Sequence, residues 1–454
     1  MSNAASPSRE LAEHLVGWQG NVEERLLHKS TNVLIDTLGC ITFGATLPWS
    51  KAAAAYALAT GGTGAATIIG QATTTTAPMA AFANGAAAHA FELDDVHEEA
   101  ISHPGAVVIP VAIALAEQTQ ATVLDLQEAV VIGYEAMGRA GLAVGPTSHM
   151  LAGFHPTSMS GVFGSVAAAA RLFGFTGERL NHAFGVAVSL ASGTMEFASS
   201  GGMAKRIHAG RAAEAGIMAV QLVAHGFEGA SDGLAGRYGF CHVFGTNPEI
   251  DLLTAKLGSR WMIDEITVKP YAACSDIHPL IQAATELRTE HQLRPEQITH
   301  IEAEAPTKAV TQNNLDGTSS VMAAQYSAPF NIAAAILANP SDPTTYAPER
   351  IASQTLADLQ AKVLLRVAKR FDATYAHKIG GTVRICLESG EVLERTVHGQ
   401  KGSMHNPLNQ HEIDAKFASL VTHRAPHELS LNLRSYLQNP TNPATGLTQL
   451  LVPQ

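Results

Sequence analysis

Apolar side chains recur at mixed three- and four-residue spacing through the first half of the chain, the pattern of helices that bury one face. Over 22–45 the positions are Leu26, Leu27, Val33, Leu34, Leu38 and Ile41. The same spacing predicts helices over 76–92, 104–118, from Thr122 as N-cap towards Leu142, and over 157–173, 178–192 and 207–225. Gly226 stands where a C-terminal capping glycine belongs. Asn247-Pro248 predicts a short helix with proline at its first position.

The pattern changes after Trp261. Segments 263–269, 298–305, 362–367 and 382–387 read as short strands. The last of them, with Ser389-Gly390 and 392–397, reads as a β-hairpin. Helices near 278–291 and 319–338 are interleaved, and helical spacing returns over 409–421 and 426–437. The expected fold is mostly α. Residues 1–265 begin a large all-helical domain, 266–397 form an inserted smaller α+β domain, and 398–454 complete the helical domain.

Composition agrees with two domains, since the 454 residues exceed the roughly 100–200 of one. Ala and Gly are abundant while aromatics make up 6%, which favours closely packed helices over an aromatic-rich β fold. The formal net charge of −11 argues against a nucleic-acid or anionic-membrane partner. The four cysteines, Cys40, Cys241, Cys274 and Cys386, show no CxxC spacing and suit reduced thiols in a cytosol. The first fifteen residues carry no signal-peptide core and read as a tail entering a helix. No stretch of about 18 apolar residues occurs. The expectation is a soluble, cytoplasmic protein.

Four clusters carry candidate chemistry. The densest holds Glu92, Asp94, Asp95, His97, Glu98 and Glu99, followed by His103-Pro104-Gly105. One reading is an acid–base site whose carboxylates orient histidines. The others are a solvated link between helices and a metal site, though no HExxH or EF-hand motif supports the metal. His97 reads as a solvated helix-end residue. The second cluster is Gly153-Phe154-His155-Pro156-Thr157, with a histidine pinned at a helix entry.

The third runs Ser199-Ser200-Gly201-Gly202-Met203-Ala204-Lys205-Arg206-Ile207-His208, where cations meet a helix N-terminus and suit an anion. Glu196 lies just before it. The fourth, from Lys269 through Tyr271, Cys274 and Asp276 to His278, lies at the expected domain junction. Cys274 reads as a small buried side chain rather than a nucleophile. Tyr326, in Ala324-Gln325-Tyr326-Ser327, is a fifth candidate.

In order, Ile35-Asp36-Thr37-Leu38-Gly39, Ala83-Asn84-Gly85-Ala86, the Asp94-Asp95 to His103-Pro104-Gly105 stretch, Gly153–Thr157, Lys205–His208, Lys269-Pro270-Tyr271 and Ala324–Ser327 resemble the MmgE/PrpD family over nearly the whole chain. The resemblance implies an all-helical domain with an α+β lid, usually in a homodimer, and a site without metal or other cofactor. By position, His103, His155, Lys205, Lys269 and Tyr326 match residues that line the family's site. Asp94 and Asp95 match its acidic pair, and His278 matches a lid histidine. The chain departs from the pattern at Val96, where threonine or serine is common. Glu92 stands where one member has an aspartate, and Cys274 where a decarboxylating member has a histidine.

The resulting expectation is an enzyme acting on a small carboxylate. Lys205, Lys269 and Arg206 hold carboxylates, with Asp95, Glu92 and His278 beside the substrate. His103 or His155 removes a proton alpha to a carboxylate, and Tyr326, Asp94 or the other histidine returns one. A hydro-lyase is favoured, with an epimerase or decarboxylase using the same pocket as the alternative. The rivals are a non-catalytic anion-binding protein and a metal-dependent hydrolase built on Asp94, Asp95, His97 and His103.

Overall fold

The computed structural model describes residues 6–451, apart from 19, 72, 201, 316–319 and 422–424 and the side chains of 199 and 200. Residues 1–5 of the expected N-terminal tail, and Gly201 with the side chains of Ser199 and Ser200 in the third cluster, lie outside the described residues. The chain divides into two compact units. The first comprises Met1–Ile266 with Gln410–Gln454, and the second Thr267–Asn409. The fold is mostly α.

The first unit contains α1 (Pro7–Gly17), α2 (Glu24–Gly44), α3 (Pro48–Gly61), α4 (Ala77–Ala88), α5 (Pro104–Thr119), α6 (Val123–Ala143), α7 (Pro146–Leu151), α8 (Pro156–Leu172), α9 (Gly177–Ala187), α10 (Glu196–Ser200), α11 (Lys205–Ala224) and α12 (Phe240–Phe244). Helices Gln410–Leu420, Pro426–Gln438 and Thr445–Leu450 return to it. Its core is formed where α4, α5, α6, α8 and α11 pack on one another. Small residues permit close approach. A Cβ on Gly210 would lie 2.2 Å from the Phe82 carbonyl oxygen, and one on Gly85 would lie 2.8 Å from Gly210 Cα. This backbone-to-backbone contact locks α4 to α11.

Several helix starts have local causes. The Thr122 side chain accepts from the Asp125 amide, and Asp125 accepts from the Thr122 amide, a reciprocal cap on α6. Proline occupies the first turn of α3, α4, α5, α7 and α8, where its missing N–H costs nothing.

Other elements differ from the sequence expectation. The 76–92 helix stops at Ala88, because His89 leaves helical geometry and Glu92 adopts a left-handed φ of 57°. The 178–192 helix ends at Ala187. The 207–225 helix starts earlier, so Lys205 and Arg206 are its first residues and not part of a loop. Asn247-Pro248 precedes a 3-10 turn at Ile250–Leu253. Only Ile266–Thr267 of 263–269 is strand. Helix α3 and the small hairpin of Ala66–Ile68 with Thr73–Thr75 were not expected. Among the described residues, no single helix is long and apolar enough to cross a membrane.

The second unit contains a four-stranded sheet. Ile298–Ala305 pairs in parallel with Val363–Val367 and antiparallel with Gly381–Leu387, which in turn pairs antiparallel with Val392–Val397. The hairpin turns at Gly390, whose φ of 86° suits glycine. Helix His278–His291 packs on the last two strands and on Ala328–Leu337. The expected 319–338 helix is two helices, Val321–Tyr326 and Ala328–Leu337. The break falls at Ser327, whose hydroxyl caps the second by accepting from the Phe330 amide.

Gly210→Ala is expected to be destabilising. The inserted methyl meets backbone rather than a movable side chain, so the overpacking cost of roughly 1–3 kcal/mol applies in full. Urea denaturation of wild type and variant, with an unchanged midpoint, would contradict the close α4–α11 packing.

Candidate active site

Three helices of the first unit begin close together. His103 precedes α5, His155 precedes α8, and Lys205 opens α11. The His103 amide donates to Thr157 Oγ1 at 3.2 Å, which ties the start of α5 to the start of α8. Ser158 Oγ lies 3.4 Å from the His208 carbonyl oxygen, which ties α8 to α11. Each helix N-terminus carries a partial positive charge, with several of its amides already engaged: Gly105 donates to Asp95 Oδ1, Ser158 to the His155 carbonyl and Arg206 to the Met203 carbonyl. Converging three of them, with Lys205 and Arg206, makes a positive site of the kind an anion seeks.

The fourth contributor is the turn after α4. His89 Nδ1 is 2.6 Å from Asp94 Oδ2, and both side chains are buried. The same carboxylate oxygen lies 3.4 Å from His103 Nδ1. His103 Nδ1 is 2.7 Å from the Asp95 carbonyl oxygen. A carbonyl only accepts, so Nδ1 carries the proton and Nε2 the lone pair. His103 is therefore set as a base, with Asp94 placed to stabilise its protonated form. Its side chain is 13% exposed, against 1% for His89.

Asp95 faces the other way. Its carboxylate accepts from Tyr134 Oη at 2.6 Å and from the Gly105 amide at 2.8 Å. Burial raises its pKa to about 7, with Tyr134 opposing and Asp36 reinforcing the shift. A Cβ on Gly105 would lie 2.6 Å from Thr37 Oγ1 and 2.8 Å from Asp95 Oδ1, which is why glycine follows His103-Pro104. Behind the turn, Lys416 donates to Asp36 Oδ1 at 2.6 Å and to the Leu93 carbonyl at 2.8 Å. Burial lowers the Lys416 pKa, but Asp36, Cys40 and Asp95 together outweigh it and the net shift is upward.

Glu92 forms a buried ion pair with Lys205, and Arg206 Nη1 is 3.8 Å from the same carboxylate. Lys205 is thus a charge with a fixed counterion. His155 and His208 face each other with Nδ1 atoms 3.0 Å apart. Burial depresses the His155 pKa well below its usual value, and His89, His208 and Lys205 add to it. Burial, His89 and Lys205 lower His208 to about 4. Both rings are neutral at pH 7. Phe197 covers them edge-on, 5.5 Å from the His155 ring and 5.7 Å from the His208 ring.

His89, Asp94 and His103 offer ligand atoms within 4.8 Å of one another and are the group here that suits a metal ion. The Nδ1 atoms of both histidines are already engaged with Asp94 and the Asp95 carbonyl, so a cation would have to displace those bonds or use the other nitrogens. A surface cleft of about 590 Å³ elsewhere in this unit is lined by Pro146, Thr147, Leu151 and Asn247 and contains neither histidine nor lysine. It lacks the proton-handling groups of the cluster.

The chain matches the MmgE/PrpD N-terminal domain over residues 9–253 and the MmgE/PrpD C-terminal domain over residues 271–437. It belongs to the MmgE/PrpD family. Among its relatives are a cis-aconitate decarboxylase of Aspergillus terreus, 30% identical over 304 residues that cover 63% of this chain and 61% of the relative. A human cis-aconitate decarboxylase is 31% identical over 276 residues, 59% of this chain and 56% of the relative. A cis-aconitate decarboxylase-like protein of Aspergillus oryzae is 25% identical over 445 residues, 92% of both chains. The match therefore spans less than two thirds of the length of the first two.

Within this MmgE/PrpD chain, the structure brings together Glu92, Asp94, Asp95, His103, His155, Lys205 and Arg206 in the first unit. His97 is not the solvated residue expected. It is buried, bridges Ser102 through its backbone, and lies 3.4 Å from Glu265 through Nε2. Burial would raise Glu265, but His97 and Arg260 hold it at about 2. His97 thus faces Glu265 and not solvent. Glu196 is exposed.

Lys269, His278 and Tyr326 belong to the second unit. Lys269 and His278 are buried, and His278 Nε2 donates to the Ala273 carbonyl at 3.2 Å. Tyr326 is half-buried at the end of its short helix. Burial pushes the Cys274 thiol up to about 12, so it is neither nucleophile nor base at neutral pH. Sequence reasoning missed His89 as a site residue and gave His208 no role.

Lys205→Ala would take the paired ammonium away from the buried Glu92, with Arg206 still 3.8 Å from that carboxylate. Removing one member of a buried pair costs roughly 3–5 kcal/mol, and the remaining guanidinium places this case at the lower end. The double variant with Glu92→Gln is expected to recover most of the loss in urea denaturation. Equal midpoints for the single and double variants would show that the pair is not what holds the two segments.

Proposed function

We propose that this chain is a lyase that acts on a small di- or tricarboxylate by acid–base chemistry at the histidine cluster of the first unit. The observation that carries the reading is the convergence of three helix N-termini and two buried cations on four imidazoles. The first set suits carboxylates and the second moves protons. In this reading the positive helix starts, with Arg206 and Lys205, hold substrate carboxylates. His103 Nε2 removes a proton alpha to a carboxylate, and Asp94 stabilises the imidazolium that forms. His155 returns a proton. Lys269, His278 and Tyr326 are assigned to substrate only through the family resemblance.

Decarboxylation, for which several relatives are named, is the second reading, and there loss of CO₂ takes the place of proton removal by His103. Loss of CO₂ leaves an electron pair on carbon, which His155 protonates. Dehydration, which begins with the His103 step, is the favoured reading. It is favoured by Cys274, whose un-ionised thiol does not replace the histidine of a decarboxylating member. In that case the proton goes to a leaving hydroxyl.

Incubating the enzyme with cis-aconitate and a panel of citrate-like and aminodicarboxylate acids in D₂O, followed by NMR, separates the outcomes. The expected result is turnover of at least one acid, with deuterium entering a carbon alpha to a carboxylate, before and after exhaustive chelation. Binding without exchange across the panel would leave an anion-binding protein. Activity lost on chelation and restored by a divalent cation would leave the metal-dependent reading.

A further inference from the structure

His208 lies outside the roles assigned so far, yet its ring nitrogen is 3.0 Å from that of His155. Two Nδ1 atoms at that distance cannot both be donors or both be acceptors. With neither ring charged, the pair holds one Nδ1–H and one Nδ1 lone pair. The two imidazoles are therefore of opposite tautomer, and the outer Nε2 atoms are also opposite, one a donor and one an acceptor.

We propose that His155 and His208 form a proton relay, with His155 as the inner end and His208 as the outer end. This deepens the lyase reading and rests on it. In one state His208 Nδ1–H donates to His155 Nδ1, and His155 carries its proton on Nε2. That proton passes to the substrate carbon or leaving hydroxyl. The His208 Nδ1 proton moves to His155 Nδ1, and His208 Nε2 takes a proton from water. One proton enters, one leaves, both rings change tautomer, and no charge is left buried. The state produced has the lone pair on His155 Nε2. After product leaves, exchange with water resets the pair: His155 Nε2 gains a proton, His155 Nδ1 returns one to His208 Nδ1, and His208 Nε2 releases one.

The surroundings fit this role. His155 is buried and His208 is half-buried, so the relay runs from the less to the more enclosed ring. The groups that face the pair are His89, Lys205 and His103, all of which oppose a lasting imidazolium. A concerted shift avoids that ion. Phe197 closes one side against water. The His208 carbonyl is held by Ser158, and the His155 amide donates to the Gly193 carbonyl at 3.1 Å, which fixes both backbones.

The test uses full-length enzyme and its His208→Asn variant, whose amide still reaches the Nδ1 position but cannot relay. Two-bond ¹H–¹⁵N spectra of histidine-labelled protein, assigned with His155→Asn and His208→Asn, need no substrate. The expected result is complementary or exchanging tautomers for the two rings. Both rings fixed as Nε2–H would overturn the relay. With cis-aconitate, or whichever panel acid turns over, kcat of His208→Asn is expected to fall roughly 10²-fold, within the range of general acid–base effects. KM stays within a few-fold, and added imidazole restores part of kcat.

The solvent-deuterium proton inventory should bow in wild type, with two protons in motion, and straighten in the variant. Unchanged kcat, or a loss that imidazole does not rescue with a straight wild-type inventory, would overturn the proposal. If no acid turns over, the lyase reading fails while the spectra still decide the pairing of the rings.

Discussion

One buried carboxylate, Asp94, sets the geometry on which the candidate site depends. It holds His89 at 2.6 Å and lies 3.4 Å from His103. An uncompensated carboxylate in this setting would be costly, so the turn after α4 folds to bring imidazoles to it. That turn ends α4 at Ala88 and places Glu92 against Lys205. The same logic repeats at each neighbouring charge. Asp36 has Lys416, and Asp95 has Tyr134 and an amide. The first unit thus concentrates ionisable groups in one place and sets an opposite charge or a hydrogen-bond partner beside its buried carboxylates, leaving positive helix ends and imidazoles for chemistry.

The legible parts of the fold had local causes. Thr122 with Asp125 announces the start of α6 by itself, and prolines mark other helix starts. Strand alternation and Ser389-Gly390 announce the hairpin, seen as Gly381–Leu387 with Val392–Val397. The parts that were not legible depend on distant residues. Nothing near Ala88 stops a helix, because the following Ala90 and Phe91 continue a good helical pattern. The stop comes from His89 meeting Asp94 and from the positive φ at Glu92. Helix α3 has alanines on every side, so its sequence shows no face to bury.

The site was legible in proportion to how far each residue stood out from its neighbours. His103 and His155 precede prolines at helix starts, and both lie in the cluster. His89 was hidden inside an alanine-rich run, and His208 behind two cations that drew the attention to anion binding. His97 was misread because acidic neighbours suggested water, whereas it is buried against Glu265. Burial of a polar residue is a tertiary fact, and only a partner distant in sequence reveals it. Local sequence marked Lys269 and Tyr326 only as candidates, and the roles expected of them came from the family resemblance.

The central claim is that His103 takes the substrate proton while other groups hold the carboxylates. It is tested most directly by comparing substrate binding with hydrogen–deuterium exchange in His103→Gln. The account predicts that exchange at the carbon alpha to the carboxylate falls by roughly 10²–10⁴-fold, as loss of a general base does. The Kd for the same acid, measured by calorimetry, should stay within a few-fold of wild type. Exchange at the wild-type rate in this variant would contradict the account, whatever the affinity.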